Sequence, residues 1–305
     1  MQTALLTEYI GGMRARIDEG LSRYLPIPPS FPKVLYEAMR YSVDAGGKRL
    51  RPILTLAAAE AVAGTSGAQD AIERALPAAC AIEMIHTYSL IHDDLPAMDD
   101  DSLRRGRPTN HVVYGEGMAI LAGDGLLTEA FALLAAEPRD PDLALRKIRT
   151  IQTVAVAAGG AGMVGGQAID LLAVGSSTFD QYSLQDMHAR KTGALIRAAA
   201  VAGAIMGGGD DAEIRAVDEY GRHLGLAFQI VDDILDVEGD AKALGKTAGK
   251  DAKAGKPTYP STYGLDVSRQ LAAERHDSAI AALQSADLHG SRLADIASWV
   301  IQRKN

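Results

Sequence analysis

Residues 92–101 read HDDLPAMDDD, and the paired arginines Arg104 and Arg105 follow almost at once. Five carboxylates lie within the nine residues that begin at Asp93, and carboxylates at this density repel one another unless cations lie between them. A second acidic stretch, DDILD, covers residues 232–236 inside an apolar segment. Mg²⁺ prefers oxygen ligands, usually one or two carboxylates plus substrate phosphate oxygens. The two stretches together predict a cavity whose acidic walls bind Mg²⁺ and whose basic residues bind phosphate.

The rest of the composition predicts an all-α protein. Of the 305 residues, 47% are hydrophobic and only 5% are aromatic, and the abundant alanines favour helix. Length alone would allow two domains, but we find no linker, no fixed-period repeat and no convincing strand alternation. The expectation is one domain over residues 1–305, built as a single large helical bundle around a central cavity.

Helix boundaries follow from apolar spacing and from proline and glycine. Pro-rich residues 26–29 end the first helix, Pro96 cannot continue the helix before it, and residues 238–260 are expected to form a mobile loop rich in glycine and lysine. The predicted helices cover about residues 1–25, 33–43, 53–63, 70–94, 118–136, 143–158, 159–173, 179–204, 212–237, 267–285 and 291–303.

Charge and cysteine content exclude several classes of protein. The net charge of −8 argues against a general nucleic-acid binder, which needs a basic face. Cys80 is the only cysteine, so no internal disulfide is possible and a reducing compartment is expected. The first 17 residues lack the solid apolar run of a signal peptide, and no stretch reaches the roughly 18 clean apolar residues of a spanning helix. These features predict a soluble, cytoplasmic protein without stable membrane insertion.

Helical spacing orders the acidic residues. Asp232 and Asp236 lie four residues apart on one helix face, and Gln229 lies on the same polar stripe. Taken alone, this stripe is also compatible with a solvated acidic face. In the first stretch, His86 and Asp93 are seven residues apart and nearly eclipsed on a helix. Because Pro96 ends that helix, Asp99 has to fold back through the loop to meet a metal held by Asp93.

Basic residues form three groups that fit diphosphate recognition, in which arginine offers a planar fork and lysine a point charge. Any one of them alone is most simply a surface charge. The first group follows the double glycine at 46–47, which frees the backbone near an anion. The groups are Lys48, Arg49 and Arg51; Arg104 and Arg105; and the scattered Lys191, Lys246 and Lys256.

Taken together, these motifs resemble the trans-isoprenyl diphosphate synthases, of the bacterial farnesyl diphosphate synthase type, over nearly the whole chain. Two aspartate motifs at this separation are a specific signal. The landmarks are GGKRLRP at 46–52, Asp93 to Asp99 with RRG at 104–106, Gly166-Gln167 with Asp170, Lys191-Thr192, and Phe228-Gln229 leading into residues 232–236.

The resemblance implies a helical barrel around a deep cavity, usually in a homodimer, and it implies a role for each landmark. Mg²⁺ would bridge Asp93 and Asp99, with a further ion on Asp232 and three ions per site once substrate is bound. An allylic diphosphate would bind Arg104, Lys191, Thr192, Gln229, Lys246 and Lys256. Isopentenyl diphosphate would bind Lys48, Arg51, His86 and Arg105.

The same resemblance implies an ionisation, condensation and elimination reaction. Cations neutralise the departing diphosphate, Thr192 and Gln229 turn oxygens towards the allylic cation, and the released diphosphate is the expected proton acceptor. In the family, a bulky residue five positions before the first aspartate limits product length. Tyr88 fits the pattern for C15 products, although Ser89 is better aligned with Asp93 by helical rotation.

Other functions remain open at this point. Within the class, the product could be C10 or C20 instead of C15. A terpene cyclase also carries an aspartate-rich motif on a helical fold, but it does not need the second diphosphate site that Lys48, Arg51 and His86 indicate. A non-catalytic subunit that binds isoprenoid or a partner synthase is disfavoured by the intact Asp93 and Asp232.

Overall fold

The computed structural model describes residues 2–25, 32–173, 181–238 and 258–303, and within them it is almost entirely helical. The fold class is therefore the predicted one, an all-α bundle. The helices are α1 (Gln2–Tyr24), α2 (Lys33–Val43), α3 (Leu50–Asp93), α4 (Asn110–Tyr114), α5 (Glu116–Ala136), α6 (Ala144–Ala158), α7 (Met163–Ala173), α8 (Gln181–His188), α9 (Ala194–Gly207), α10 (Asp211–Glu238), α11 (Tyr259–Tyr263), α12 (Leu265–Gln284) and α13 (Arg292–Gln302).

Helix α3 is the central element and packs most extensively against α9 and α5. The two helices predicted over 53–63 and 70–94 are its two halves, because Gly64 leaves the helical conformation at φ 65° and kinks the element. Small residues let α9 approach closely: a Cβ at Gly203 would overlap the backbone carbonyl of Thr55 on α3. This close crossing fixes α9 against the N-terminal half of α3, the half that begins beside Arg51.

The described residues contain one strand pair, a small antiparallel hairpin of β1 (Leu103–Arg104) and β2 (Arg107–Pro108). This hairpin and the short helix α4 lie between the helices predicted over 70–94 and 118–136, where no element was predicted. Arg105 and Gly106 both have positive φ, 54° and 75°, as a two-residue type I′ turn requires. The turn places Arg105 at the tip of the hairpin.

Two further predictions differ from the structure. The helix expected over 179–204 is interrupted by a single π-helical turn (Ala189–Gly193), called the π turn below. The short helix α11 begins inside the segment expected to be a mobile loop, because Thr258 and Ser261 form a capping box at its start. Residues 239–257 of that loop and the proline turn at 26–29 lie outside the described residues.

Two helical stretches, Glu116–Ala136 and Pro141–Ala173, are long and apolar enough to cross a membrane by length and composition alone. This differs from the expectation that no stretch would qualify, because the average hydropathy of both stretches stays high despite their scattered glycines and charges. The observation is weak evidence for a span, because α5 packs against α3 as a core helix does.

Candidate active site

The first aspartate stretch folds back on the C-terminal end of α3. Asp93 is the last residue of that helix, and its backbone carbonyl accepts a hydrogen bond of 2.9 Å from the Asp99 amide. The Asp100 and Asp101 amides donate to the carbonyls of Leu95 and Asp94, each at 3.1 Å. The loop therefore returns Asp99 to Asp93, which confirms the fold-back that the sequence required.

Asp93 lies in an environment that disfavours an uncompensated carboxylate. Burial raises the pKa of Asp93 to about 6; the Lys191 ammonium opposes this rise, and the Asp99 carboxylate adds to it. A buried carboxylate whose ionisation is opposed by a neighbouring carboxylate is stabilised by a cation placed between the two. In the part of the chain that the structure describes, no group of three or more His, Cys, Asp or Glu side chains could hold a metal ion by itself. The Asp93/Asp99 pair still fits Mg²⁺, which usually takes one or two carboxylates and completes its shell with water and phosphate.

Arg104 is held by Asp94, a residue to which the sequence assigned no role. Asp94 is buried, and its Oδ1 and Oδ2 accept hydrogen bonds of 2.7 and 2.9 Å from Arg104 Nε. Asp101 lies 3.7 Å from Arg104 Nη2. Arg104 therefore lies beside the acidic stretch that contains Asp93 and Asp99, and Asp94 orients its guanidinium. Its contact with an allylic diphosphate stays a prediction.

A group of cations lies at the N-terminal end of α3 and the hairpin tip. Burial lowers the pKa of Arg51 to about 10, with Glu83 and Asp232 opposing the fall and Arg105 adding to it. Arg51 Nε is buried and has no hydrogen-bond partner among the described residues. Burial also lowers the pKa of His86 well below its usual value, and Arg51 and Arg105 lower it further. His86 is therefore a neutral donor at pH 7. The structure brings Arg51, His86 and Arg105 together as predicted, whereas Lys48 is exposed.

Arg49 does not join this group, which corrects its assignment to diphosphate recognition. Its guanidinium is buried, with Nη1 2.8 Å from Glu83 Oε1 and Nη2 donating to the Val43 carbonyl at 2.7 Å. Nε donates to Asp18 at 3.0 Å, which ties α1 to α3. Arg49 has a left-handed backbone, φ 53°, at the N-cap of α3. This geometry turns Arg49 inward and fixes the loop that precedes Arg51.

The π turn carries Lys191 and Thr192. Lys191 Nζ lies 2.6 Å from Asp170 Oδ2, a buried carboxylate on α7. A Cβ at Gly166 would overlap the backbone of Lys191, so the glycine lets α7 approach the π turn. Thr192 Oγ1 donates to Gln229 Oε1 on α10 at 2.8 Å. Single π turns inside helices are frequent at functional sites, and this one aims two predicted site residues at neighbouring helices.

Asp232 has a partner that sequence reasoning missed. Its side chain is 52% exposed, and Oδ1 lies 3.2 Å from Nη2 of Arg303 at the end of α13. The same nitrogen donates to the Phe228 carbonyl at 2.8 Å, and the guanidinium carbon lies 3.9 Å from the Phe228 ring centroid. A residue 71 positions away in sequence gives no local signal of this contact.

The two aspartate stretches border one polar region. The Lys191 ammonium lowers the pKa of both Asp93 and His188. The Asp232 carboxylate raises the pKa of both His188 and Arg51. Shared charged neighbours link α3, the π turn and α10. That the two aspartate stretches converge on one diphosphate stays a prediction.

The candidate chain-length residues lie one helical turn before Asp93. Tyr88 is buried, and its ring meets His92 edge-on with centroids 5.6 Å apart. Burial and the Asp93 carboxylate both raise the pKa of Tyr88, which places it close to the reacting end of α3. The Ser89 hydroxyl donates to the His86 carbonyl of its own helix at 2.9 Å. Lys246 and Lys256 lie outside the described residues.

With this geometry established, the chain can be compared with known proteins. The polyprenyl synthetase family matches residues 32–289. A farnesyl diphosphate synthase of Geobacillus stearothermophilus is 45% identical over 97% of both chains. A geranylgeranyl diphosphate synthase of Cyanophora paradoxa is 43% identical over 98% of this chain and 97% of its own.

Solved structures agree with the sequence relatives. An FPP/GFPP synthase of Zymomonas mobilis has a TM-score of 0.83 at 38% identity, and the match covers 99% of this chain and 100% of that one. A geranylgeranyl pyrophosphate synthetase of Pyrococcus horikoshii has a TM-score of 0.84 at 33% identity, over 97% and 99% of the two chains. The fold is that of the isoprenoid synthases, and the reaction class is prenyl transfer. The chain belongs to the polyprenyl synthetase family.

Proposed function

We propose that this prenyltransferase condenses isopentenyl diphosphate with dimethylallyl and then geranyl diphosphate, in a Mg²⁺-dependent reaction that ends at farnesyl diphosphate. The observation that carries the proposal is the presence of two separate groups for anions on one polar region. Arg51, His86 and Arg105 form one group, and the Asp93/Asp99 pair with Lys191 borders the other. A reaction between two diphosphates needs two such places, one for each.

The group around Arg51 suits isopentenyl diphosphate. Two guanidinium groups and a neutral imidazole can all donate to phosphate oxygens, and the Glu83 carboxylate balances part of the positive charge of Arg51 and Arg105. The Arg105 Nη1 donates to the Gly46 carbonyl, so the hairpin tip and the glycine loop are held together. This contact orients the guanidinium before substrate arrives.

The opposite group suits the allylic diphosphate. Mg²⁺ bound at Asp93, Asp99 and Asp232, three ions in the loaded site, would neutralise the diphosphate as it leaves. Lys191 and Arg104 hold the leaving group from the protein side, with Asp170 and Asp94 fixing their positions. Thr192 and Gln229 present oxygen atoms to the allylic cation, and the double bond of isopentenyl diphosphate attacks it. The proton then passes to the released diphosphate, and exclusion of water keeps the cation from being quenched.

A C15 product is supported by Tyr88, because its buried ring lies near Asp93 where a growing prenyl tail would pass. Relatives named for C15 and for C20 products are similarly close, so a C20 product is the second candidate. A terpene cyclase would have no use for the group around Arg51. A non-catalytic subunit would not need a pair of carboxylates suited to Mg²⁺, Asp93 and Asp99, beside Lys191.

We further propose a cytoplasmic homodimer. Leu145, Ile148 and Val156 are exposed and lie on one face of α6, and Leu121 is exposed on α5, which contacts α6. Apolar side chains grouped in this way fit a surface that a second copy covers. Sedimentation at several concentrations tests this: a dimer supports it, and a monomer at micromolar concentration contradicts it.

The function is tested by incubation with labelled isopentenyl diphosphate, dimethylallyl diphosphate and Mg²⁺, followed by chromatography of the dephosphorylated products. Label in farnesol supports the proposal, and label in geranylgeraniol supports the second candidate. In a parallel reaction with geranyl diphosphate, formation of cyclic products without incorporation of label would support a cyclase. No conversion of either substrate would support a non-catalytic role.

A further inference from the structure

A chain of hydrogen bonds runs from Asp233 through Gln229 to Thr192. Gln229 Nε2 donates to Asp233 Oδ1 at 2.8 Å, and Thr192 Oγ1 donates to Gln229 Oε1 at 2.8 Å. Asp233 Oδ2 accepts from the backbone amide of Tyr259 at 3.0 Å. Both oxygens of this carboxylate therefore accept N–H donors from different parts of the chain.

The direction of this chain is fixed by chemistry. A carboxylate without a proton can only accept, so the Gln229 amide must turn its NH₂ group towards Asp233 and its oxygen towards Thr192. Thr192 must then donate its hydroxyl hydrogen to Gln229. The lone pairs of Thr192 Oγ1 are left to face other neighbours.

Asp233 is placed differently from Asp232, although the two are adjacent. Asp233 is only 4% exposed, whereas the Asp232 side chain is 52% exposed and meets Arg303. His188 Nε2 lies 3.7 Å from Asp233 Oδ2, beyond hydrogen-bond distance. The second aspartate of the stretch thus faces the interior of the helix packing.

We propose that Asp233 is a positioning residue. It sets the direction, or polarity, of the hydrogen bonds from Asp233 through Gln229 to Thr192, called the relay below, so that Thr192 presents an acceptor oxygen to the allylic cation. The inference rests on the proposed function, since it assigns a direction to the oxygen atoms named there. An acceptor oxygen fixed in advance stabilises positive charge without reorganising at the moment of ionisation. The opposite polarity would aim a hydroxyl hydrogen at the cation.

The Asp233→Asn variant tests the direction of these hydrogen bonds with almost no change in side-chain volume. The Tyr259 amide needs an oxygen acceptor, so the new NH₂ group faces Gln229, which must flip and donate to Thr192. The Thr192 hydroxyl hydrogen then turns away from Gln229. We expect kcat to fall roughly 10²-fold, the scale of losing one preorganised group at a charged transition state, with KM for both diphosphates within about 2-fold. Asp218→Asn removes a charge from the same helix at an exposed pair with Arg197 and should leave kcat unchanged.

A double-mutant cycle with Thr192→Val separates the relay from other roles. In the Thr192→Val background, Asp233→Asn should lower kcat clearly less than it does in wild type, because the hydroxyl that the relay orients is gone and only the flipped Gln229 amide still acts. An equal loss in both backgrounds would overturn the proposal and assign Asp233 to metal binding or to folding. An unchanged kcat for Asp233→Asn alone would overturn it too.

Neutron diffraction of the deuterated wild-type protein needs neither a variant nor turnover. A deuteron on Thr192 Oγ1 that points at Gln229 Oε1, with two deuterons on the Gln229 nitrogen nearest Asp233, supports the relay. A Thr192 deuteron directed elsewhere overturns it. If wild-type protein transfers no prenyl group, the proposed function fails by itself, and the neutron map still decides the relay.

Discussion

The buried ion pair of Arg49 and Glu83 allows a quantitative prediction about stability. The two side chains are 3% and 2% exposed, so the Glu83→Ala substitution leaves a guanidinium buried without its nearest countercharge. Breaking one side of a buried pair costs about 3–5 kcal/mol. Asp18 and the Val43 carbonyl remain as partners of Arg49, so we expect a loss near the lower end, about 3 kcal/mol.

The assay is urea unfolding followed by circular dichroism at pH 7 and one fixed protein concentration, since dimerisation would make stability depend on concentration. The control is Asp218→Ala, which breaks a pair whose side chains are 45% and 30% exposed and should cost about 0.2–1 kcal/mol. A Glu83→Ala loss no larger than that of the control would refute the reasoning that Arg49 depends on Glu83.

The remaining predictions concern the two walls of the site. The raised pKa of Asp93 means that its ionisation opposes folding above about pH 6 and has no cost below about pH 4, where the carboxyl is protonated in both states. With a chelator present, the Asp93→Asn variant should therefore be more stable than wild type at pH 8 and equally stable at pH 3.5. Thermal unfolding measures this, and the same difference in unfolding temperature between variant and wild type at both pH values would contradict it. Tyr88→Ala should lengthen the main product by at least one C5 unit in chromatography, with Tyr88→Phe as the matched control; unchanged length would remove Tyr88 from that role. Lys191→Ala should lower kcat roughly 10²-fold while Lys147→Ala on α6 does not, and equal kinetics for the two variants would show that Lys191 does not touch the leaving group.

The helical framework could be predicted because its signals are local. Apolar spacing and the prolines around each turn located α2 at 33–43, the same bounds that the structure has. The fold-back of Asp99 followed from Pro96, which ends the helix, together with the expectation that Asp99 and Asp93 share one metal ion. These inferences need only a few neighbouring residues.

What could not be predicted depends on contacts between distant residues or on very short elements. The β1–β2 hairpin has two residues per strand, too few to show alternation, and its Arg-Gly turn is a weak signal. Which of Arg49 and Arg51 pairs with Glu83, and which joins His86 and Arg105, depends on the backbone at the N-cap of α3. The contact of Arg303 with Asp232 joins residues that share no local pattern.

The central claim is that the two aspartate stretches act on one diphosphate. A crystal structure with Mg²⁺, isopentenyl diphosphate and an unreactive thiolo analogue of dimethylallyl diphosphate tests this most directly. We expect metal ions at about 2.1 Å from oxygens of Asp93, Asp99 and Asp232, all bound to the analogue's diphosphate, and isopentenyl diphosphate on Arg51 and Arg105. A complex in which Asp232 binds no ion that contacts this diphosphate would contradict the account.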